Sequence, residues 1–296
     1  MTRNASLALV AILGCLAAGH ARAEGVVFKF TRAVYGDDRE IRLASPEGVG
    51  CADDGRLVVA DTGNARLLAF GDSQGALVLS KEIKIPEIGY PTRVVLDQKG
   101  NTWVLDRRAR KIARLGKGYA FAGWVEAKGA SPFVPVSFVV TPGGTIVAID
   151  AIGPSVVELE PDGKALRRVP LPKGQFTDLW VDSRGTVFAL DAVAARVWTA
   201  EKGRSEFKPL TRSLKDEMKF PTQIVSNGRG RLFLLDQNGM GVGVLGIDGT
   251  YQGRQLAMGW TPGLLYYPTQ ICVTGKGIAA IADRGNDRVQ LYATLE

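Results

Sequence analysis

Short apolar runs, cut by glycine, aspartate and asparagine, recur along this chain from near its start to its end. "RLVVAD", "NTWVLD", "TIVAID" and "RLFLLD" are four of them, and each closes on an aspartate. Runs of this length, rich in β-branched and aromatic residues and bounded by turn formers, predict strands. The closing aspartates Asp61, Asp106, Asp150, Asp191, Asp236 and Asp283 stand 45, 44, 41, 45 and 47 residues apart. Six residues before each lies a glycine: Gly55, Gly100, Gly144, Gly185, Gly230 and Gly277. Fifteen before five of them lies a proline, at 46, 91, 135, 221 and 268, with Phe176 in the remaining unit. Three markers in one phase define a repeat.

Within a unit, a β-rich run such as "TRVVLD" or "TQIVS" follows the proline. The glycine then supplies the positive φ of a hairpin turn, a second strand ends on the aspartate, and a third such as "RLLAF" follows. The aspartate suits a turn because its carboxylate accepts nearby backbone N–H groups. Further turns at Asp162-Gly163, Lys202-Gly203 and Asp248-Gly249 signal a fourth strand. Six units of about 45 residues predict an all-β fold, a six-bladed β-propeller of four-stranded antiparallel blades. The last unit lacks a fourth strand, and "VVFKFTRAV" (Val26–Val34) stands spare near the start. That strand is expected to join the last blade and close the ring, which leaves few free sheet edges.

The first residues read differently. Arg3 precedes the apolar run "SLALVAILGCLAAG", and Ala21-Arg22-Ala23 follows it. This is the pattern of a secretory signal peptide over residues 1–23, cleaved after Ala23, with residues 24–296 forming a single domain. The alternative is a lipoprotein signal in which "ILGC" presents Cys15 for acylation, which would place the protein at a membrane. Either way, a periplasmic or secreted location is expected. Removing Arg3 and Arg22 leaves 35 basic residues against 30 acidic ones. With both signs interspersed, that excess is an ordinary solvated surface and not a nucleic-acid footprint. His20, the only histidine, lies in the same segment.

The stretch "PEGVGCADDGRLVVADTGNARL" (46–67) resembles the NHL repeat, whose pattern runs P-x-G-I-A-V-D…G-x-I-Y-V-A-D-x-x-N-x-R-I. The likeness extends over the chain from residue 24 and is strongest in units one and six, where "DTGNAR" and "DRGNDR" nearly rhyme. A basic residue five places after the aspartate occurs at Arg66, Lys111, Arg196 and Arg288, and is missing from units three and five. The resemblance implies a six-bladed propeller, usually a rigid platform for a protein, peptide or other ligand. In the rhyme itself, the aspartate is expected to cap the turn and the arginine to brace it.

Some related propellers are enzymes. Histidine–zinc lyases, histidine-dependent lactonases, a Ser-His-Asp triad and C-x-x-C-H haem attachment all need imidazoles that residues 24–296 do not contain. The gluconolactonase type instead holds a metal on Glu, Asn and Asp oxygens, beginning with a Glu-Gly at the start of an innermost strand. Glu47-Gly48 occupies such a place. The positions matching Gly48 are Arg93, Ser137, Asp178, Gln223 and Gln270, a ring in which Arg93 would oppose a cation. The metal-dependent hydrolase or lactonase, with Glu47 and Asp178 as ligands, is therefore the alternative function. The first expectation is a non-catalytic binding platform with no cofactor, free-standing or as a subunit of an exported redox or envelope complex.

The expected platform surface comes from the turns after the second strands. In units three to five these are apolar and include Ile152, Pro154, Val193 and Met240. The long connection "AMGWTPGLLYYPTQ" adds Trp260, Leu264 and Tyr266 on the same side, and unit two contributes the basic Arg107 and Arg108. An apolar arc beside a basic turn predicts a protein or peptide partner. The competing expectation is that Leu265 and Tyr267 simply pack between blades. Cys51 and Cys272 lie ten and eleven residues before their aspartates, so period-two alternation predicts opposite faces and two buried thiols.

Overall fold

The protein is a six-bladed β-propeller, seen in a computed structural model that describes residues 25–128 and 132–295. The expected leader, with Cys15 and Ala23, lies outside those residues. Each blade is a four-stranded antiparallel sheet. The innermost strands are Gly48–Cys51, Pro91–Leu96, Pro135–Val140, Phe176–Val181, Pro221–Ser226 and Pro268–Val273, for blades one to six. The second strands are buried on both faces, as in Leu57–Asp61 and Ile146–Asp150, except for the leading Arg231 and Ile278 of blades five and six.

Blade six is built from both parts of the chain. Val27–Val34 pairs antiparallel with Arg288–Leu295, with Val27 opposite Leu295 and Val34 opposite Val289. The predicted closure is therefore present. Phe28 and Tyr292 pack edge to face in the core between blades five and six, so the joining strand is held by side chains as well as by its hydrogen-bond ladder.

The six aspartates act as corner pieces. Each accepts at least one backbone N–H from the segment that enters its blade: Ala44 on Asp61, Tyr90 on Asp106, Val134 on Asp150, Gln175 on Asp191, Phe220 on Asp236 and Tyr266 on Asp283. One buried carboxylate thus fastens a turn to the connection running past it, satisfying donors that would otherwise be lost. In the two rhyming turns the Arg66 and Arg288 Nε atoms donate to Asp61 and Asp283 at 2.7 and 2.8 Å, and Asn64 and Asn286 add a further bond each. Gly63 and Gly285 are required there, because a Cβ would stand 2.7 Å from the Ala44 carbonyl oxygen and 2.6 Å from that of Tyr266.

Blades three and five, which lack the basic residue in the third strand, recruit it from the fourth. Arg168 Nη1 reaches Asp150 at 2.8 Å, and Arg254 Nη1 reaches Asp236 at 2.9 Å. Both lie eighteen residues after their aspartates. The small residues of the blade-five turn make this possible, since a Cβ on Gly241 would meet the Arg254 guanidinium at 2.7 Å.

The expectation of two free thiols is corrected. Cys51 and Cys272 form a disulfide with their Cα atoms 5.9 Å apart, 221 residues apart in sequence. The registers show that their phases do differ: Cys51 pairs with Leu57, four before its aspartate, and Cys272 with Ala280, three before its own. The error lay in treating opposite phase as separation. Neighbouring blades in a ring present opposite faces to the seam between them, so two inner-strand residues meet there only when their phases differ.

Candidate functional site

Inner strands have one free edge, turned to the propeller axis, and their N–H groups need partners. The ring expected from the sequence supplies them. In blades two to six the register shifts after the first inner-strand residue, as between Pro91 and Arg93 or Phe176 and Asp178. The second residue is left out of the pairing, and the third, just past this bulge, reaches toward a following blade. Asp178 Oδ2 accepts from the Ile224 amide, Gln223 Oε1 from that of Ile271, and Gln270 Oε1 from those of Val49 and Val94. Gln270 spans from blade six past blade one to blade two, where its Nε2 donates to the Val94 carbonyl. Gly48 lets blades one and two approach closely here, since a Cβ there would stand 2.9 Å from the Ala60 Cβ and 3.2–3.3 Å from the Thr92 and Arg93 backbone.

The charged members of the ring neutralise each other. Arg93 Nη1 lies 2.9 Å from Asp178 Oδ1, the Ser137 hydroxyl donates to the same oxygen, and Arg93 Nε donates to the Phe138 carbonyl. Burial pushes the Asp178 carboxyl up, and Arg93, Ser137 and the Ile224 amide pull it back. The result is a continuous belt of polar side chains tying inner strand to inner strand at mid-channel.

Above the belt, on the face carrying the aspartate turns and the interblade connections, Glu47 is 3% exposed. It is enclosed by two guanidiniums, Arg107 at 2.9 Å and Arg284 at 3.7 Å, and accepts a bond from the Tyr90 hydroxyl at 3.2 Å. Arg107 also lies over the Tyr90 ring. A divalent cation needs several oxygen ligands converging on it. Around Glu47 and Asp178 the groups within reach are instead guanidiniums and a single donating hydroxyl each, and among the described residues no three His, Cys, Asp or Glu side chains gather. These residues do not fit a metal centre.

The expected partner surface lies around the same face. Ile152, Val193 and Trp260 are 51%, 50% and 66% exposed, and Pro154, Arg107 and Arg108 are exposed with them. Trp260 is presented by Arg288, whose guanidinium gathers the carbonyls of Trp260, Thr261 and Leu264. Its ring leans on Tyr266, which packs on Tyr267. Leu264 and Tyr266 are half-buried, Leu265 is buried, and Tyr267 is exposed instead of packed between blades. Met240 is 7% exposed and belongs to the core between blades five and six, so it offers nothing to a partner. Sequence reading did not single out Tyr90 or Arg284, because nothing in the repeat shows that two turns from different blades converge on Glu47.

The fold and this channel define the class: a six-bladed β-propeller. No protein-family model matches the chain, and no curated protein matches its sequence. Solved structures do match. A streptogramin B lyase superposes with a TM-score of 0.66 at 14% identity, covering 92% of this chain and 98% of its own. A virginiamycin B lyase from Staphylococcus aureus gives 0.65 at 12%, over 92% and 100%. A gluconolactonase from Xanthomonas campestris gives 0.68 at 14%, over 91% and 95%. Likeness at these identities establishes the shared fold.

Proposed function

We propose that the protein is an exported NHL-type propeller that acts as a non-catalytic platform, holding a protein or peptide partner across the face that carries Trp260. One observation carries this reading: the upper face pairs exposed apolar side chains, among them Trp260 on a connection braced by Arg288, with a channel mouth whose carboxylate is already closed by Arg107 and Arg284. Rigid, pre-presented aromatic side chains bordered by arginine are what recognition surfaces use. The test is a pull-down from periplasmic extract with the wild-type protein and an Ile152→Asp, Trp260→Ala variant. A partner retained by the first and lost by the second supports the platform. Equal retention by both sinks it.

The enzymatic character of the structural neighbours favours a second reading, the metal-dependent hydrolase or lactonase. One Staphylococcus aureus lyase structure is of a variant made catalytically inactive by replacing a histidine with alanine. The corresponding chemistry is closed to this chain, whose one histidine is His20. Lactone hydrolysis would need Glu47 released from two guanidiniums. Aldonolactone turnover that depends on added divalent metal and disappears in Glu47→Gln would establish this reading over the first.

A further inference from the structure

Below the polar belt the channel changes character. It widens toward the opposite face into two lobes of about 470 and about 520 Å³ that meet over Trp180, with a throat of about 130 Å³ beneath the belt. Volumes of this order are those of small-molecule sites. Trp180, Leu96 and Val140 line the wall together with the Cys51–Cys272 disulfide, so the inner part of the funnel is mainly apolar while its mouth is polar, with Asp53, Asp97 and Gln98 in the lining.

The rim carries charge, and most of it is internally balanced. Asp54 is paired with Arg56 at 2.7 Å and Asp182 with Arg184 at 3.2 Å. Arg229, which is outside the funnel's lining, gives its guanidinium to the Gly275 carbonyl and has no carboxylate partner among the described residues. Two carboxylates on neighbouring blades remain without a cationic partner among the described residues. Asp53 is exposed at the mouth, and Asp97 lies buried in the wall shared by both lobes. Asp97 accepts bonds from Asn101 and from the Trp103 indole, and the Lys99 amide completes its shell. Burial opposes its charge, but these bonds outweigh it and hold the carboxyl below the usual range.

The geometry points to this funnel as a binding site for a small organic cation carried on an apolar or aromatic body. The body packs on the inner wall against Leu96, Val140 and the Trp180 ring, and the ammonium faces Asp53 and Asp97 at the mouth and gains from the indole face as well. The site lies on the side of the belt away from Glu47 and Trp260, so it is separate from the proposed partner surface.

The test uses two probes with one ring system, 1-naphthylmethylammonium and 1-naphthylacetate, titrated calorimetrically into the full-length folded protein. The cation should bind at one site per chain, at least about tenfold more tightly than the anion, which corresponds to about 1.4 kcal/mol. Asp53→Asn, an exposed substitution that leaves the core intact, should shrink that ratio several-fold. Trp180→Leu should weaken both probes, Val140→Arg should abolish binding, and the Ile152→Asp, Trp260→Ala variant should change nothing. Equal affinity for the two probes, indifference to Asp53→Asn and Trp180→Leu, or loss with the Trp260 variant would overturn the assignment.

Discussion

The two halves of the channel are made by the same six strands, yet one is sealed and the other open. At the start of the inner strands, side chains reach sideways and are used up by the next blade: Asp178 on Ile224, Gln223 on Ile271, Gln270 on Val49 and Val94. At their ends, Leu96, Val140 and Val273 reach no partner of that kind and leave a funnel. A ring of short inner strands must cap its free edge somewhere. Once capped at one end, the other is free to be shaped for a ligand.

The sharpest way to break this contrast is to unpair the sealed half. Arg93→Met leaves Asp178 buried without its cation and should cost about 3–5 kcal/mol, read as a lower denaturant midpoint. Arg93→Met with Asp178→Leu should recover most of that loss. A silent single variant would show that the belt does not close the upper half. Next in size is the disulfide that walls the open half. Reducing it, or replacing both cysteines with serine, should cost about 2–4 kcal/mol, measured as a fall in Tm with and without reductant.

Smaller effects distinguish the two ways of bracing a turn. Arg254→Gln should cost about 1.5–3 kcal/mol, because it removes a charge-assisted bond to a buried carboxylate, and Arg288→Gln should cost more, since the Trp260 carbonyl loses its donor and those of Thr261 and Leu264 keep only the Leu264 amide and Gln290. Equal losses would mean that the connection bearing Trp260 stands without Arg288. Acid should unfasten the segment before blade one late, at the low end of the titration. Burial pushes the Asp37 carboxyl up, but hydrogen bonds from Arg66, the Ile41 amide and Arg39 together outweigh it and lower it to about 2. A carboxyl depressed on folding contributes stability that is complete above pH 4 and lost as pH falls toward 2. Unfolding profiles of wild type and Asp37→Asn should therefore converge only in that window. The smallest effect belongs to Arg107, which is mostly exposed: Arg107→Ala should change stability by less than about 1 kcal/mol.

The architecture was legible because a ring repeats its corners. Asp61 and its five counterparts mark the one place in each blade where a buried carboxylate is needed, and spacing alone revealed them. What crosses between blades was less legible. Arg168 and Arg254 stand on fourth strands, outside the five-residue offset that identifies Arg66 and Arg288, so two blades look unbraced in sequence when they are not. The cysteine pairing was misread for the same reason, since phase along a strand says which face a residue takes but not which faces meet. Trp180 carries no turn or repeat marker. It gained its position from the curvature of the ring, which no local pattern encodes.

The blade-six closure and the disulfide together give the molecule an unusual mechanical circuit. Val27 and Leu295 sit side by side at one end of an antiparallel pair, so tension applied to them opens the pair like a zipper, one bond at a time. Once those strands part, the load passes through Cys51 and Cys272 and bypasses everything between them. Only the flanking segments can stretch, roughly 160 Å in all at about 3.4 Å per residue, whereas the reduced chain would run out to roughly 900 Å. The length of a single pulled molecule would thus report its oxidation state.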